Sequence, residues 1–275
     1  ELRRGGVPRD AIPALSWPDM VAADDAGFLS ADDRVLGLVL DGRARAYPVR
    51  ILNYHEIVND IVAGRPVAVT YCPLCRSGVA FDAVVDGRVR VFGVSGLLYD
   101  SDLLMYDRET ESLWSQLGAR AITGPSAGQV LALLPLRHTT WQDWRRRHPD
   151  TMVLSQNTGH RRDYRRDPYR DYAADRDSLM FPVARRDGRL RPKSLVLGLK
   201  LGDDARAWPL AALSRRDMPL TDTLGGTEVR VHFDPAADTA WATTADGTLL
   251  PATETYWFAW FTFHPATSVY AAPEP

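Results

Sequence analysis

Alternating apolar and polar residues, interrupted by tight-turn signals, predict a chain rich in β-strands. Segment 35–49 has a Val- and Leu-rich run, an Asp-Gly pair and a second short run that stops at Pro48. This order is typical of a β-hairpin, because Asp-Gly favours a tight turn and proline ends a strand. Segment 196–210 repeats the order, with Gly-Asp-Asp at the turn and Pro209 at the end.

Shorter segments predict further strands and two helices. Residues 67–71 predict a strand, and residues 78–81 and 89–94 alternate in the same way. Residues 53–60 predict a short helix, because the apolar positions there are spaced to bury one face. Residues 139–147 predict a second helix, with a threonine as its N-cap and two tryptophans on one face.

Three segments recur in the same order in the second part of the chain. They are 35–49 with 196–210, 67–73 with 229–235, and 148–153 with 264–269. Two copies are too few for a solenoid, so we interpret them as an internal duplication. We therefore predict an α+β fold, mostly β, in which two pseudo-repeated β-rich halves and a few short helices pack as one globular unit.

The predicted organisation follows this repeat. Its parts are an N-terminal extension (1–29), a first repeat with the candidate site (30–158), a charged Tyr- and Arg-rich connection (159–190), a second repeat without a site (191–270) and a tail (271–275). Within the connection, residues 160–177 are either a solvated linker or a lid over the first half, because three tyrosines are unusual in a linker.

Composition narrows the class of protein without indicating a reaction. Apolar residues make up 45% and charged residues 25% of the chain, as in ordinary soluble domains. A net charge of -2 gives no attraction to nucleic acid, so we expect a small-molecule or protein substrate. No apolar run approaches the roughly 18 residues of a transmembrane segment. Because the chain begins at Glu1, we expect that a signal peptide was removed and that the protein is extracytoplasmic, either periplasmic or secreted.

Both cysteines of the chain lie in one motif, Cys72-Pro73-Leu74-Cys75. Two thiols at this spacing form a redox disulfide or hold one metal ion. A thioredoxin-like site needs a helix at the first cysteine, but residues 76–81 turn and resume the pattern of a strand. A strand, a tight turn and a second strand are typical of a metal knuckle, so we predict a mononuclear metal centre.

Two cysteines do not complete a metal site, so further ligands are needed. His55 is the best candidate, because it lies on the predicted helix just before the strand that ends at Cys72. Glu56 or Asp60 would then orient the free nitrogen of its ring. Asp102 and its neighbours could supply carboxylates, although exposed loop residues are the simpler interpretation there.

The second copy provides an internal comparison. The positions that match the three candidate ligands carry Asp234, Ala237 and Arg216, whereas the hairpin and its prolines are kept. If the cysteines only filled the core, the joint loss of all three ligand types would be a coincidence. The pattern therefore indicates a site in the first copy and a scaffold in the second.

Six motifs resemble the DUF3179 family, a bacterial and archaeal domain of unknown function. They are 53–60, 70–75, 93–98, 101–114, 157–159 and 167–172, and the resemblance covers about residues 30–215. It implies a secreted or membrane-tethered bacterial protein and no particular reaction. It also marks Met105, Tyr106, Asp107 and Trp114 as positions within family motifs, while Arg76 stands where the family pattern has glycine.

The leading hypothesis is a mononuclear centre of His55, Cys72 and Cys75, with an open fourth position for which Met105 is a weak candidate. Copper is preferred to zinc, because soft thiolates outside the cytoplasm select it and a thioether suits it. The residues that would support the ligands, or act beside them in a reaction, are Glu56, Asp60, Tyr106 and Asp107.

Two alternatives stay open at this point. The first is a metal-free thiol–disulfide oxidoreductase that uses Cys72 and Cys75. The second is a ligand-binding module, in which the two cysteines are a structural staple and the tyrosine-rich connection holds the ligand. The sequence assigns no catalytic residue, and a metal-dependent enzyme is one of the outcomes it permits.

Overall fold

The computed structural model describes residues 2–271. Leucine-rich and β-branched runs form its strands, and short polar pairs form many of the turns between them. At the first hairpin, Asp41 and Gly42 have φ values of 47° and 74°, which is the left-handed conformation that a two-residue hairpin turn requires.

The strands, in chain order, are β1 (Leu2–Arg4), β2 (Leu15–Ser16), β3 (Met20–Ala22), β4 (Arg34–Leu40), β5 (Arg43–Pro48), β6 (Ile57–Val62), β7 (Arg65–Cys72), β8 (Ser77–Asp82), β9 (Val84–Val85), β10 (Arg88–Val89), β11 (Phe92–Tyr99), β12 (Asp102–Asp107), β13 (Leu113–Ser115), β14 (Arg120–Thr123), β15 (Leu133–Leu134), β16 (Leu136–Thr140), β17 (Met152–Leu154), β18 (Leu195–Leu201), β19 (Asp204–Pro209), β20 (Leu220–Leu224), β21 (Thr227–Asp234), β22 (Thr239–Thr244), β23 (Thr253–Tyr256) and β24 (Ser268–Val269). The helices are α1 (Val49–His55), α2 (Trp141–Arg147), α3 (Arg170–Ala174), α4 (Leu210–Leu213) and α5 (Trp257–Phe263), with a 3₁₀ turn at Ala23–Asp25. Within residues 2–271, no helix has the length and apolarity needed to cross a membrane.

Five sheets form the blades of a five-bladed β-propeller. Their strand orders are β1-β11-β12-β13-β14, β15-β8-β7-β6-β2, β16-β4-β5-β17-β3, β23-β18-β19-β24 and β20-β21-β22, while β9 and β10 form a separate hairpin. Strands make up 43% and helices 12% of the structure. Radial packing of several short sheets protects most strand edges, which suits a chain with so many short strands.

The predicted α+β fold of two halves is therefore wrong. The repeated segments do not form two halves, because 35–49 and 67–73 lie in different blades, as do 196–210 and 229–235. A hairpin pattern specifies which strands are neighbours within a sheet. It does not specify how many sheets surround an axis, because that number depends on contacts between distant parts of the chain.

Two pairs of blades nevertheless match the sequence repeat. β4 pairs with β5 through Val35 and Pro48, and β18 pairs with β19 in the same register through Val196 and Pro209. The central strands β7 and β21, which contain the second repeated segment, belong to the other pair of blades. The fifth blade, built on β11 and β12, lies outside the repeated segments. A duplication remains our prediction from these matches.

Two tryptophans occupy matching positions in these blades. Trp144 packs on Gly37 and Trp260 packs on Gly198, so a Cβ atom at either glycine would lie 2.2 Å or 2.3 Å from the indole. Each indole N–H donates a hydrogen bond to a threonine seven residues later, at 3.0 and 2.9 Å. Both glycines are therefore required by close packing of the indole ring.

One predicted helix is observed and the other has the wrong range. The helix predicted at 139–147 is α2, and Thr140 caps it by accepting a hydrogen bond from the backbone N–H of Asp143 at 3.3 Å. The helix predicted at 53–60 is wrong, because α1 ends at His55 and the apolar run that follows is the strand β6. That strand is buried on both faces, so its pattern resembles a short buried helix.

Residues 155–194 connect β17 to β18, and we call residues 159–194 of this connection the cover segment. Their regular structure is the short helix α3. The Tyr172 hydroxyl donates a hydrogen bond to the backbone oxygen of Leu74 at 3.0 Å, and the Ser101 hydroxyl donates to the backbone oxygen of Phe181 at 2.8 Å. The cover segment thus packs over the turn that contains the two cysteines.

Candidate metal centre

The cysteines lie at the hairpin turn between β7 and β8. Cys72 is the last residue of β7, and the backbone N–H of Cys75 donates a hydrogen bond to the Cys72 oxygen at 3.2 Å. The side chains are 2% and 0% exposed, and both thiols are free. The turn therefore places two reduced sulfur atoms side by side in the interior, as the knuckle motif predicts.

A carboxylate from the neighbouring blade reaches the same place. Asp102 begins β12, directly after a two-residue turn in which Asp100 and Ser101 have φ values of 51° and 67°. This tight hairpin turn carries Asp102 back toward the cysteines. One ligand atom from each of Cys72, Cys75 and Asp102 lies within 4.8 Å of the other two, and all three residues are buried.

The two oxygens of the Asp102 carboxylate differ in their hydrogen bonds. Its Oδ2 accepts a hydrogen bond from the backbone N–H of Leu117 at 2.9 Å. Its Oδ1 is buried and accepts no N–H or O–H hydrogen bond within residues 2–271, so the two cysteine thiols are the groups that interact with it. A buried oxygen that lacks such a hydrogen bond is costly, and native proteins compensate for it with a ligand, an ion or a water molecule.

Glu56 adds a second acid beside this group. It lies directly after α1 with φ 57° and ψ -31°, a strained conformation for a residue with a side chain. Its backbone is held on both sides, because its N–H donates to Leu52 at 2.7 Å and its oxygen accepts from Tyr71 at 2.7 Å. Strained residues persist where the surroundings fix them, and such residues concentrate at functional sites.

Burial raises the pKa of all four acidic groups. Removal from water raises the pKa of the Cys72 thiol and brings that of Cys75 well above its usual value, because a buried anion is poorly solvated. Burial also raises the pKa of Asp102 to about 7, and it raises that of Glu56 to about 8 with help from the charge of Asp102. The site therefore holds protons at neutral pH unless a cation replaces them.

His55 is directed to other partners. Its Nδ1 lies 2.7 Å from the backbone oxygen of Pro13, so it donates a proton there, and its Nε2 accepts from the Tyr164 hydroxyl at 2.6 Å. Burial lowers the pKa of His55 to about 4, so the ring is neutral. Both ring nitrogens are thus occupied, and the group formed by the cysteines and Asp102 does not include His55.

The structure places Met105 in the apolar core around the cysteines and pairs Asp60 with other side chains. Met105 is fully buried in the same apolar cluster as the cysteines, where its thioether is one of many core side chains. Asp60 accepts a hydrogen bond from the Tyr47 hydroxyl at 2.7 Å and lies 3.8 Å from the guanidinium of Arg45. The structure gives Asp60 the role of a buried partner for these two side chains.

Tyr106 and Asp107 support the blade of β12. The Tyr106 hydroxyl donates a hydrogen bond to Asp10 at 2.5 Å, and its ring lies under the guanidinium of Arg9. Asp107 accepts hydrogen bonds from the Trp114 indole at 2.8 Å and from the turn that follows β12. Tyr106 therefore joins β12 to the N-terminal segment, Asp107 stabilises the turn after β12, and neither is in the group of three donors.

Sequence reasoning treated the third donor as a loop residue. Asp102 lies in a polar stretch between two apolar runs, which resembles an exposed loop. The length of the polar stretch could have indicated this position. Two residues between two strands form a hairpin turn, so the next residue, Asp102, begins a strand. The following strand is buried throughout, so its first carboxylate is buried as well.

The chain was also compared with known proteins. A family model with the description "protein of unknown function (DUF3179)" matches residues 9–248. This match confirms the resemblance seen in the motifs and extends it at both ends. No curated protein and no solved structure matches the chain.

Proposed function

Because the chain belongs to the DUF3179 family, whose description gives no activity, we propose a function from the buried site: the protein holds one metal ion between Cys72, Cys75 and Asp102. The observation that supports this most strongly is the convergence of two thiols and one carboxylate from two blades within 4.8 Å. The second support is the buried Oδ1 of Asp102, which accepts no N–H or O–H hydrogen bond within the described residues and which an ion would satisfy.

Zinc is the metal that this donor set suits best. Sequence analysis favoured copper because it included an imidazole and a thioether beside the thiolates. In the structure the third group is a carboxylate, which is a harder ligand than a thioether. Zinc accepts sulfur and carboxylate ligands together in tetrahedral sites. Copper is therefore the alternative that metal analysis must separate from zinc.

Three protein donors leave one position of a tetrahedral ion for water or substrate, as in catalytic zinc sites. Glu56 is a buried acid whose charge acts on Cys72 and which feels that of Asp102, and its raised pKa of about 8 keeps it in the range where a side chain both takes and gives a proton. We therefore favour a metalloenzyme over a site with a purely structural role.

A thiol–disulfide oxidoreductase is less well supported. Such a protein attacks its substrate with an exposed thiolate of lowered pKa. Here the thiols are 2% and 0% exposed, and burial raises their pKa. The cover segment also packs over the turn, because Tyr172 donates a hydrogen bond to Leu74 between the two cysteines. A bound ion would keep the two sulfur atoms reduced in an oxidising compartment.

The test is metal content by mass spectrometry, with a thiol count, on protein purified without chelators or nickel. We expect about one zinc per chain. We expect Asp102→Asn to lose it, because the amide keeps the shape of the side chain and removes its charge. His55→Gln is the matched control and should keep the metal, since both ring nitrogens are bonded elsewhere.

Two results would contradict this proposal. Protein without metal and with an oxidised Cys72–Cys75 pair would favour the redox or staple interpretation. Metal that is retained in Asp102→Asn and lost in His55→Gln would restore the histidine site predicted from sequence. About one copper in place of zinc would keep the site and correct the choice of ion.

A further inference from the structure

A cleft of about 510 Å³ lies between the cover segment and the two blades that contain β18 to β23. Four cationic side chains and one carboxylate line it, namely Arg76, Arg176, Arg191, Lys193 and Asp238. The whole chain has a net charge of -2, so this concentration of positive charge is local. A cleft lined mainly by one sign of charge attracts ligands of the opposite sign.

The three arginines of this cleft have N–H donors to spare. Within the described part of the chain, the guanidinium groups of Arg76, Arg176 and Arg191 donate no hydrogen bond. Lys193 differs, because its ammonium donates to two backbone oxygens at 2.5 and 2.8 Å. The free donors therefore belong to arginine, whose planar fork matches carboxylate and phosphate oxygens.

A buried carboxylate, that of Glu254, lies beside the guanidinium of Arg76. The Nη2 atom of Arg76 lies 3.7 Å from Oε1 of Glu254, which is close enough for charge attraction and too long for a hydrogen bond. Glu254 is 4% exposed, and neither of its carboxylate oxygens has a hydrogen-bond partner within residues 2–271. The charge of Glu254 thus anchors the guanidinium, the cleft carboxylate of Asp238 also attracts it, and its N–H groups make no hydrogen bond within residues 2–271.

The cleft also adjoins the turn with the cysteines. Arg76 directly follows Cys75, and Tyr256, another lining residue, donates its backbone N–H to the Cys75 oxygen at 2.9 Å. A ligand in the cleft would therefore lie against the outer side of the candidate metal centre. The volume suits a metabolite-sized molecule.

We propose that this cleft binds a small molecule through an anionic group, a carboxylate or a phosphate, held by Arg76, Arg176 and Arg191. The inference goes beyond the metal centre and stands on the lining of the cleft alone. It also gives the class of molecule, an anion, that would bind next to the turn with the cysteines.

The test is isothermal titration of the full chain with inorganic phosphate and, separately, with succinate, at physiological ionic strength. We expect saturable binding at one site for one of the two anions, which distinguishes phosphate from carboxylate. Arg176→Gln with Arg191→Gln should weaken this binding by at least about tenfold, because two charge-assisted contacts are lost. Both positions are exposed, so the variant should fold normally.

Arg161→Gln with Arg170→Gln is the matched control, since it removes the same charge from exposed positions of the cover segment outside the cleft. Its affinity should stay within about twofold of the original. The inference is overturned if neither anion binds saturably, or if both double variants weaken binding equally. Titration of Asp102→Asn with the same anion separates the two proposals. If this variant contains no metal and still binds the anion, the cleft proposal holds independently of the metal site.

Discussion

The turn between β7 and β8 and the turn between β21 and β22 have the same length and different chemistry. Each hairpin closes with a cross-strand pair, Cys72 with Ser77 in the first and Asp234 with Thr239 in the second. The last residue before each returning strand has a positive φ, 52° in the first turn and 43° in the second. The two turns thus have the same length, the same closing pair and the same final conformation, although the cysteines are present only in the first turn.

The second turn shows that this backbone does not depend on thiols. Asp234 and Ala237 replace the cysteines, and the turn forms with the Asp234 side chain accepting a hydrogen bond from the N–H of Ala236 at 3.0 Å. The backbone oxygen of Ala237 then accepts from Arg34 of a neighbouring blade at 2.7 Å. The first turn instead faces Asp102. The difference indicates that the cysteines serve chemistry more than the shape of the turn.

The strongest test of whether the cysteines serve chemistry or structure is to remove both thiols. We expect Cys72→Ser with Cys75→Ala to abolish metal binding while the chain still folds, because the second turn forms without sulfur. Loss of two buried sulfur atoms should lower the free energy of unfolding by about 1–3 kcal/mol. Mass spectrometry measures the metal, and urea denaturation followed by circular dichroism measures stability.

Asp234→Ser is the control at the matched position of the second turn, and it should leave the metal content unchanged. An unfolded double cysteine variant would contradict the comparison, since the first turn would then need its cysteines for structure. A folded variant that keeps the metal would remove the basis for the proposed centre.

A smaller effect is expected from the histidine that sequence analysis placed in the site. His55→Gln removes two buried hydrogen bonds, to Pro13 and from Tyr164, and should lower the free energy of unfolding by about 2 kcal/mol. Denaturation of the metal-free protein measures this loss without interference from the ion. A loss that appears only in the metal-bound protein would contradict a structural role for this ring.

The same histidine should make the protein sensitive to acid. Burial lowers the pKa of His55 from 6.5 to about 4, so between these values the unfolded chain binds a proton that the folded chain does not. Stability should therefore fall as pH decreases through this window, with a slope of at most about 1.4 kcal/mol per pH unit from this residue. His55→Gln should flatten the curve, and an unchanged slope would refute the assignment.

Local sequence predicted the parts of the fold that depend on neighbouring residues. The hairpin 35–49, the capped helix α2 and the knuckle at the cysteines all follow from turn residues, caps and alternation. The family was also evident from its motifs, and the match over residues 9–248 confirms it. The number of blades did not follow, because it depends on packing between sheets from distant parts of the chain.

The two cysteines of the site were predicted from sequence and its carboxylate was not, for a related reason. Asp102 reaches the cysteines from another blade, and no local pattern records which two hairpins lie side by side. The helix predicted through residue 60 would have presented His55 to the knuckle. The chain instead reverses at Glu56, where a φ of 57° ends α1, so His55 turns to Pro13 and Tyr164 while the acid is left beside the cluster.

The smallest effect concerns the last residue of each turn, which is Arg76 in the first turn and Asp238 in the second. Asp238→Gly relieves a positive φ at an exposed position and removes a carboxylate that attracts Arg34 and Arg76, so the net gain should be at most about 1 kcal/mol. Arg76→Gly relieves the same strain but leaves Arg34, 3.5 Å away, as the one charged partner of Glu254 within the described residues, because the buried ring of His138 at 3.7 Å is neutral. The net result should be a loss of about 1–2 kcal/mol. Urea denaturation of both variants measures the contrast, and equal gains would show that Arg76 and Glu254 do not stabilise each other.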